Sequence, residues 1–316
     1  MKNFYGIMFH HFHDDKIHKR GQGSISKDDF YKIIKFIGRD NILNADDFFH
    51  RFKENKLTDK DTCLTFDDGI KCQFDVALPV LEDLKIKSFF FIYSSLFEGQ
   101  PDLLEIYRYF RMNFFKNLDQ FYDNFYINLN KNLDNFFKLN NKKIKLNKIK
   151  FPFYSIRDIK FRLVRNEFLN IKEYRKIMFK MFEEKKFIPS EYYDKLFLTN
   201  KNLQKLKSLG HTVGLHSHTH PTLLESLSYK EQKNEYISNI KIISEILSIN
   251  KSEIKSMSHP CGSYNNDTLK ILKELGIELG FKEIMKIEPE KGMKKINNSN
   301  LEIARQDHSE IMKLMN

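Results

Sequence analysis

Histidines are concentrated in one short segment, GLHSHTHPTL, which spans residues 214–223. On an extended strand, His216 and His220 would lie about 13 Å apart, too far to bind the same zinc ion. If the chain turns here, as Pro221 indicates, residues four apart approach to about 6 Å on one face. His216 and His220 can then bind one metal while His218 points elsewhere, although the pair alone is equally consistent with a structural role.

Two adjacent aspartates, Asp67 and Asp68, follow an apolar run in the segment LTFDDG. Within a strand these side chains would point to opposite faces, so they can serve one site only if the strand ends here. Gly69 supplies the freedom for such a turn. One carboxylate would then hold a cation while the other accepts a proton; the alternative is a helix N-cap or an Asx turn. Two histidines and one aspartate would make a three-ligand metal site with an open position, as catalytic metals need.

These segments belong to a regular alternation of strand and helix patterns, which predicts parallel βαβ units. Such units form an open sheet or a barrel, and in both the functional sites gather at the carboxyl ends of the strands. LTFDDG, GLHSHTHP and SHPCGSYN all lie at such ends, so we expect them to converge. The strands are predicted within FYGIMFHHF (4–12), TCLTF (62–66), KSFFFIYSS (87–95), HTVGLHSHTHP (211–221), IKSMSHPCGSYN (254–265), IELGFKEI (277–284) and LEIARQDH (301–308).

Residues 98–200 interrupt this alternation. They are rich in Phe, Tyr, Asn and Lys with apolar residues at helical spacing, and glycine is absent from residues 100–209. We therefore predict a helical insertion within a single domain that spans residues 1–316. The mixture of aromatic and basic residues could bind nucleic acid, but aromatic residues at helical spacing more often form a core.

The net charge is +11 and the pI about 9.2. A polyanionic partner or a compositional bias would each explain this charge, and its even distribution favours the bias, so we predict no nucleic-acid partner. Three cysteines do not make a disulfide framework and fit a reducing compartment. The N-terminus lacks a secretory pattern, and no apolar run reaches the roughly 20 residues that span a bilayer. We predict a cytoplasmic protein and leave peripheral membrane association open.

The three segments resemble the motifs of the polysaccharide deacetylases with the NodB homology domain, carbohydrate esterase family 4. LTFDDG looks like the first motif, and HSHTHP matches the second, His-[Ser/Thr]-x-x-His-Pro, at every fixed position. SHPCGSYN resembles the third motif, a Pro-x-Gly loop before a helix, and the three follow in the family order. The resemblance covers the chain except for residues 98–200, and it implies a distorted (β/α)7-type barrel with the helical insertion between the first and second motifs.

The resemblance also implies the chemistry of the site. Asp68, His216 and His220 would bind a divalent metal, usually zinc or another ion such as Co²⁺, Ni²⁺ or Mn²⁺. Asp67 would be the catalytic base, and the reaction would remove an acyl group, typically acetyl, from the amine of an amino sugar. These roles are physically consistent, because a metal acidifies bound water and polarises a carbonyl while a carboxylate accepts the proton.

The chain departs from the family pattern around this site. Ser258 stands where the third motif often has an arginine that orients the base. In the C-terminal segment IARQDH, His308 could be the general acid, or Arg305 could replace the missing arginine. Two regions are expected to contact the substrate, the Pro-x-Gly loop and one histidine of the first strand; the residues are Pro260, Gly262, Tyr264 and His11. For His11, a buried histidine bonded to the backbone is the alternative interpretation.

The sequence therefore favours a metal-dependent deacetylase that acts on an amino sugar in polysaccharide or surface-glycan metabolism. Because no export signal is evident, a nucleotide-linked, lipid-linked or free amino sugar fits better than cell-wall polymer. A second hypothesis is hydrolysis of another non-peptide C–N amide bond at the same site. A third is a glycan-binding barrel that has lost catalysis, motivated by the missing arginine and the large insertion.

Overall fold

The chain forms two compact units, one made of Met1–Asp102 with Tyr193–Asn316 and the other of Leu103–Tyr192. The computed structural model describes residues 6–21, 23–150, 154–284, 291–292 and 299–315. Residues 4 and 5 of the predicted first strand lie outside this part. The strands of the described residues all belong to the first unit, and the second unit is helical. The predicted status of residues 98–200, an insertion into a single catalytic domain, stays a prediction.

Seven parallel strands form a nearly closed barrel in the first unit, as predicted. The strand order is β6-β5-β4-β3-β2-β1-β7. At the β6 edge of this sheet, Phe281 forms a parallel bridge with Ile303, which lies just before β7. The Ile303 N–H donates to the Gly280 carbonyl at 2.9 Å, and this contact joins the β6 edge to the β7 edge. The strands are β1 (Gly6–Phe9), β2 (Cys63–Asp67), β3 (Phe89–Ile92), β4 (Thr212–Leu215), β5 (Ser256–Ser258), β6 (Leu279–Phe281) and β7 (Arg305–Asp307).

Helices follow most of the strands and alternate with them along the chain. The first of them begins after the N-cap Ser26, which accepts from the Asp29 N–H while the Asp29 carboxylate accepts from the Ser26 N–H. The helices are α1 (Lys27–Ile37), α2 (Ala45–Lys53), α3 (Leu78–Asp83), α4 (Leu103–Asn113), α5 (Leu118–Leu129), α6 (Asp134–Leu139), α7 (Asn141–Lys150), α8 (Ile156–Leu163), α9 (Ile171–Glu184), α10 (Tyr193–Leu196), α11 (Asn200–Ser208), α12 (Tyr229–Leu247), α13 (Asn266–Glu274) and α14 (His308–Met315).

Phenylalanine forms much of the barrel core. Every residue of β3 is buried, which suits a central parallel strand that is covered on both faces. Phe48 of α2 packs against Phe89 and Phe281, with ring centroids 6.2 and 6.0 Å away. This packing fixes the strands that carry the polar residues at their carboxyl ends.

The second unit contains α4–α9 and is also held together by aromatic residues. The ring of Phe110 lies 4.6 Å from that of Phe182, and Phe187 lies 4.7 Å from Phe182. All three side chains are buried, so the aromatic residues at helical spacing form a core, as the sequence favours. Among the described helices, none is both long and apolar enough to cross a membrane.

Candidate active site

The side chains of Asp68, His216 and His220 meet beyond the carboxyl ends of β2 and β4. Oδ1 of Asp68 lies 3.2 Å from Nε2 of His216 and 3.3 Å from Nε2 of His220. One donor atom from each of the three lies within 4.8 Å of the other two. Two imidazole nitrogens and one carboxylate oxygen form a donor set found in catalytic zinc sites. The structure thus brings together the three residues that the sequence predicts as metal ligands, hereafter the Asp68 cluster.

Left-handed backbone conformations turn the chain just after both strands. The φ angles are 77° at Asp68, 65° at Ser217 and 56° at His220. Such conformations cost about 1–3 kcal/mol each in residues other than glycine, and they occur often at functional sites. The turn frees Asp68 from the alternation of β2, so its carboxylate and that of Asp67 can serve one site. The turn at Ser217 likewise brings His216 and His220 together, with ring centroids 5.0 Å apart.

Each histidine of the cluster is oriented by a second partner. Nδ1 of His216 lies 2.9 Å from the Ser258 carbonyl oxygen, and Nδ1 of His220 lies 2.8 Å from Oδ2 of Asp102. Because a carbonyl or carboxylate oxygen only accepts, each Nδ1 carries a proton, so Nε2 is the nitrogen that a metal would bind in place of any proton there. The structure thus supports both Nε2 atoms as ligand atoms.

Electrostatics inside the cluster favour an ionised carboxylate. Burial opposes the charge on Asp68, but His220 and His216 outweigh it and hold the pKa of Asp68 well below its usual value. Burial also opposes the charge on His220, yet Asp68 and Asp102 raise the pKa of His220 well above its ordinary value. Asp68 is therefore charged at neutral pH, as a metal ligand must be.

Asp67 is held by an arginine from the opposite end of the chain. Arg305 Nη1 donates to Oδ1 of Asp67 at 2.8 Å, and Nη2 donates to Oδ2 at 2.7 Å. Ser258 Oγ donates to the same Oδ2 at 3.2 Å. Burial works against the charge on Asp67, but the Arg305 guanidinium outweighs it and lowers the pKa. The geometry supports the sequence interpretation that Arg305 replaces the missing arginine of the third motif.

The first strand brings a histidine to the cluster, but it is His10. Its Nε2 lies 3.9 Å from Oδ2 of Asp68, and its side chain is 28% exposed. The predicted residue, His11, stacks on His10 with ring centroids 6.2 Å apart. His13 is buried and its Nδ1 pairs with Ser24 Oγ at 2.9 Å, so this histidine has a structural role.

His308 is buried at the start of α14. Its Nε2 lies 3.1 Å from the Gly23 carbonyl oxygen, and its ring stacks on Phe9 at 5.6 Å. Its Nδ1 is 3.8 Å from Oδ2 of Asp307. Burial lowers the pKa of His308. The ring is thus packed and bonded to the backbone, and its predicted role as general acid stays a prediction.

The Pro-x-Gly loop borders the cluster through its central residue. Cys261 is exposed, has a φ of 51°, and its Sγ lies 4.0 Å from Nε2 of His220. Pro260 is buried, and a Cβ on Gly262 would come within 2.6 Å of Glu283 Oε2, so this glycine permits a close approach. Tyr264 is also buried, and its hydroxyl donates to Glu302 at 2.9 Å. Tyr264 therefore stabilises the loop from its buried side.

His218, the central histidine of the second motif, lies apart from the cluster. Its Nδ1 is 3.0 Å from Ser94 Oγ, and its Nε2 is 3.5 Å from Oε2 of Glu98. The backbone N–H of His218 donates to Glu235. These contacts agree with the expectation that His218 points elsewhere.

Three residues near the cluster were not predicted as site residues. His10 differs from the predicted His11 by one position, and a strand pattern alone could not choose between two adjacent histidines. Cys261 stands in the variable position of the Pro-x-Gly loop. Asp102 is 118 residues from His220 and has no local motif, so no sequence signal could identify it without a structure.

Comparison with known proteins adds a family and a fold. The family profile described as polysaccharide deacetylase matches residues 54–110 and 165–280, more than half of the 316 residues. A comparison with curated protein sequences gave no significant match.

Solved structures with the same fold include a Streptococcus pyogenes deacetylase, PplD, in complex with acetate. It aligns over 100% of this chain and 99% of its own, at 15% identity and a TM-score of 0.54. IcaB from Ammonifex degensii covers 96% and 91%, at 11% identity and a TM-score of 0.54. A de-N-acetylase from Aggregatibacter actinomycetemcomitans covers 99% of each chain, at 12% identity and a TM-score of 0.55. At these identities the likeness establishes the shared barrel fold.

Proposed function

The chain belongs to the polysaccharide deacetylase family, and we propose that it is a metal-dependent hydrolase that removes an N-acyl group, such as acetyl, from an amino sugar. One observation carries this proposal. A cluster with the donor set of a catalytic metal site, Asp68 with His216 and His220, adjoins a second carboxylate, Asp67, that Arg305 holds by two hydrogen bonds. Metal-assisted hydrolysis needs both a metal and a base.

Asp68, His216 and His220 would hold the divalent ion. Their mixture of nitrogen and oxygen donors suits Zn²⁺, and Co²⁺, Ni²⁺ or Mn²⁺ are alternatives. The Nδ1 bonds to Ser258 and Asp102 support this assignment, because they orient both imidazoles before any ion binds. The ion would supply Lewis-acid chemistry, since it polarises a carbonyl and makes water more acidic.

Asp67 is the proposed general base. Its two oxygens offer about four acceptor positions, of which Arg305 occupies two and Ser258 one. One position, on Oδ1, is left for a proton from the attacking water. Arg305 is a positioning residue, because it acts on the substrate only through the orientation and charge of Asp67. Arg305 makes Asp67 a weaker base, because it lowers the pKa of this carboxyl, but it also fixes the orientation of the carboxylate.

His10 is the proposed proton donor to the leaving amine. Its Nε2 lies 3.9 Å from Asp68 Oδ2, and the ring is partly open to solvent, so a substrate nitrogen can reach it. His308, the acid predicted from the sequence, has its Nε2 engaged by the Gly23 carbonyl. The two histidines are therefore separable by mutation.

The Pro-x-Gly loop is the proposed substrate contact on the other side of the cluster. The position of Cys261, 4.0 Å from His220 Nε2, supports contact with substrate by the adjoining Pro260 and Gly262. We propose that His11, two residues beyond the end of β1, also contacts the substrate. Tyr264, which is buried, would act by supporting the loop.

We propose an amino sugar joined to a nucleotide or lipid carrier as the substrate class. The excess of 53 Lys and Arg over 42 Asp and Glu residues, although its even distribution favours a compositional bias, would also suit a substrate that bears phosphate. The experiment below therefore varies both the carrier and the sugar across a panel of N-acyl amino sugars.

Acyl release by the metal-loaded full chain tests this proposal. We would incubate it with free, nucleotide-linked, lipid-linked and oligomeric N-acyl amino sugars, measure released acetate, and identify the amine product by mass spectrometry. We expect release that a chelator abolishes and that Asp67→Asn nearly abolishes. No acyl release from the whole panel by metal-loaded protein would contradict the proposal, and a product from cleavage of another C–N bond would favour the second hypothesis.

A further inference from the structure

A cluster of arginines surrounds one buried carboxylate in the helical unit. Arg111 lies on α4, Arg162 lies on α8, and Arg165 lies two residues beyond the end of α8. The carboxylate is Asp158 of α8, which is fully buried. Three guanidinium groups around one carboxylate leave an excess of two positive charges in a partly desolvated place, which is unfavourable without a further anion.

Asp158 is already committed to other donors. The Tyr122 hydroxyl donates to its Oδ1 at 2.7 Å, and Arg162 Nε donates to its Oδ2 at 2.6 Å. Arg111 is farther away, with Nη1 3.7 Å from Oδ1. Asp158 therefore neutralises Arg162 well, Arg111 weakly, and leaves Arg165 to other partners.

Arg111 and Arg165 retain binding capacity. The side chain of Arg111 is only 11% exposed, and among the described residues its buried Nε has no hydrogen-bond partner. Arg165 Nε donates to Asn166 Oδ1, a neutral group, at 2.8 Å. Burial lowers the pKa of Arg165, and the neighbouring Arg162 and Arg111 lower it further. A buried guanidinium N–H without a hydrogen-bond partner, such as that of Arg111 Nε, usually marks a missing ligand or water.

A small cavity of about 40 Å³ lies at these groups. Arg111 and Arg165 line it together with Arg108, and the rings of Phe161 and Tyr174 form part of its wall. This space holds roughly three water molecules, which is close to the size of a tetrahedral oxyanion. The cavity is thus too small for a sugar or a base and large enough for a single phosphate group.

We propose that this cavity binds the phosphate group of a phosphate ester or diphosphate. Planar guanidinium groups bind phosphate oxygens by paired, charge-assisted hydrogen bonds. A terminal phosphate carries about −1.5 to −2 charges at pH 7, which offsets the excess of two, whereas a carboxylate would offset half of it. The site shares no residue with the Asp68 cluster, so phosphate binding here can be tested independently of the proposed deacylation.

Calorimetric titration of the full chain with inorganic phosphate and with pyrophosphate, at constant ionic strength, tests this site. We expect binding by the wild type and affinities lower by about tenfold or more in Arg111→Gln and Arg165→Gln. The matched control is Arg175→Gln, which removes the same charge from an exposed position of α9 and should bind as the wild type does. His220→Ala should also bind phosphate normally, which separates this site from an ion at the Asp68 cluster.

Two further experiments test the geometry of the site and the source of the phosphate. Arg111→Lys and Arg165→Lys keep the charge but not the paired geometry, so we expect weaker phosphate binding with unchanged helical circular dichroism. Vesicles of phosphatidylcholine with and without phosphatidic acid identify the source: binding that needs phosphatidic acid and is displaced by phosphate indicates a lipid headgroup, and phosphate binding without vesicle binding indicates a soluble ester. No binding of any probe by the wild type, or wild-type affinity in both Gln variants, would overturn the proposal.

Discussion

The guanidinium of Arg305 binds the carboxylate of Asp67 through two parallel hydrogen bonds of 2.8 and 2.7 Å, although 238 residues separate them in the chain. The barrel makes this contact possible, because β7 pairs with β1 and β1 pairs with β2. Arg305 also donates to Thr65 Oγ1 and to the Lys282 carbonyl, so its position is fixed from several sides. We infer that the proposed base is held rigidly by the last strand of the barrel.

Substitution of Arg305 should change the pH dependence of acyl release. Without the guanidinium, burial dominates and the pKa of Asp67 rises. Because the reaction needs ionised Asp67, the acidic limb of the kcat/KM profile should move to higher pH in Arg305→Gln, with a loss of about 10²-fold or more at neutral pH. Arg305→Lys keeps a charge but loses the paired geometry, so it should lose rate with a smaller shift of the limb.

A surface arginine provides the control for this experiment. Arg51 pairs with Asp61 at 3.5 Å and its side chain is 47% exposed, so Arg51→Gln should leave the pH profile unchanged. An acidic limb in Arg305→Gln that coincides with that of the wild type would show that Asp67 is not the base.

His10 and His308 give opposite expectations for activity and stability. His10→Gln should reduce acyl release by about 10²-fold, the contribution typical of a general acid, with metal content and melting temperature nearly unchanged. His308→Gln should lower the melting temperature, because its ring is buried against Phe9, and should change the rate less. A larger loss of rate in His308→Gln than in His10→Gln would restore His308 as the acid.

Asp102 should control metal affinity through His220. The substitution Asp102→Asn removes the ionised acceptor for His220 Nδ1 and weakens the orientation of the ring. We expect metal affinity to fall by about 10- to 100-fold in competition with a chromophoric chelator. Glu98→Gln, beside His218, alters a carboxylate near the histidine outside the cluster and should leave affinity intact. Equal affinities in Asp102→Asn and the wild type would argue against His220 as a ligand.

His211 should make the fold sensitive to acid. Burial lowers its pKa to about 4 from the ordinary 6.5, and its Nδ1 accepts from the Ser88 N–H. Between these two pH values the unfolded chain binds a proton that the folded chain does not. The resulting stability, up to about 3 kcal/mol, is complete above pH 6.5 and is lost as the pH falls toward 4.

Denaturant unfolding at pH 8, 6 and 5 checks this expectation. His211→Asn keeps an acceptor for Ser88 without a titrating ring, so its free energy of unfolding should fall less between pH 8 and pH 5. His50, which is exposed, is the matched position, and His50→Asn should retain the wild-type slope. An identical slope in His211→Asn would exclude His211 as the source.

The convergence of the motifs could be predicted from the sequence, because parallel strands place their carboxyl ends together. The alternating strands and helices predicted an open sheet or a barrel, and the family resemblance implied the barrel and named Asp68, His216 and His220 as ligands. The backbone conformations that bring these three side chains together could not be predicted. Gly69 is left-handed as expected, with a φ of 67°, but the neighbouring Asp68 and the distant Ser217 are left-handed too, and neither residue type by itself indicates such a turn.

The surroundings of the cluster were harder to predict, because tertiary contacts decide them. The segment IARQDH offered either His308 or Arg305 to the site, and only the pairing of β7 with β1 brings Arg305 to Asp67. β1 ends at Phe9, so the alternation of a strand could not decide whether His10 or His11 approaches Asp68. Asp102 contacts His220 from a segment without any motif, and such a partner appears only in three dimensions.

Metal content is the most direct test of the central claim, that Asp68, His216 and His220 bind one divalent ion. We would load the purified full chain with Zn²⁺, remove the excess, and measure bound zinc per chain by plasma mass spectrometry. The account predicts about one equivalent in the wild type and in His218→Ala, and loss of most of it in His216→Ala. Absence of bound zinc in the wild type, or equal loss in His218→Ala and His216→Ala, would contradict it.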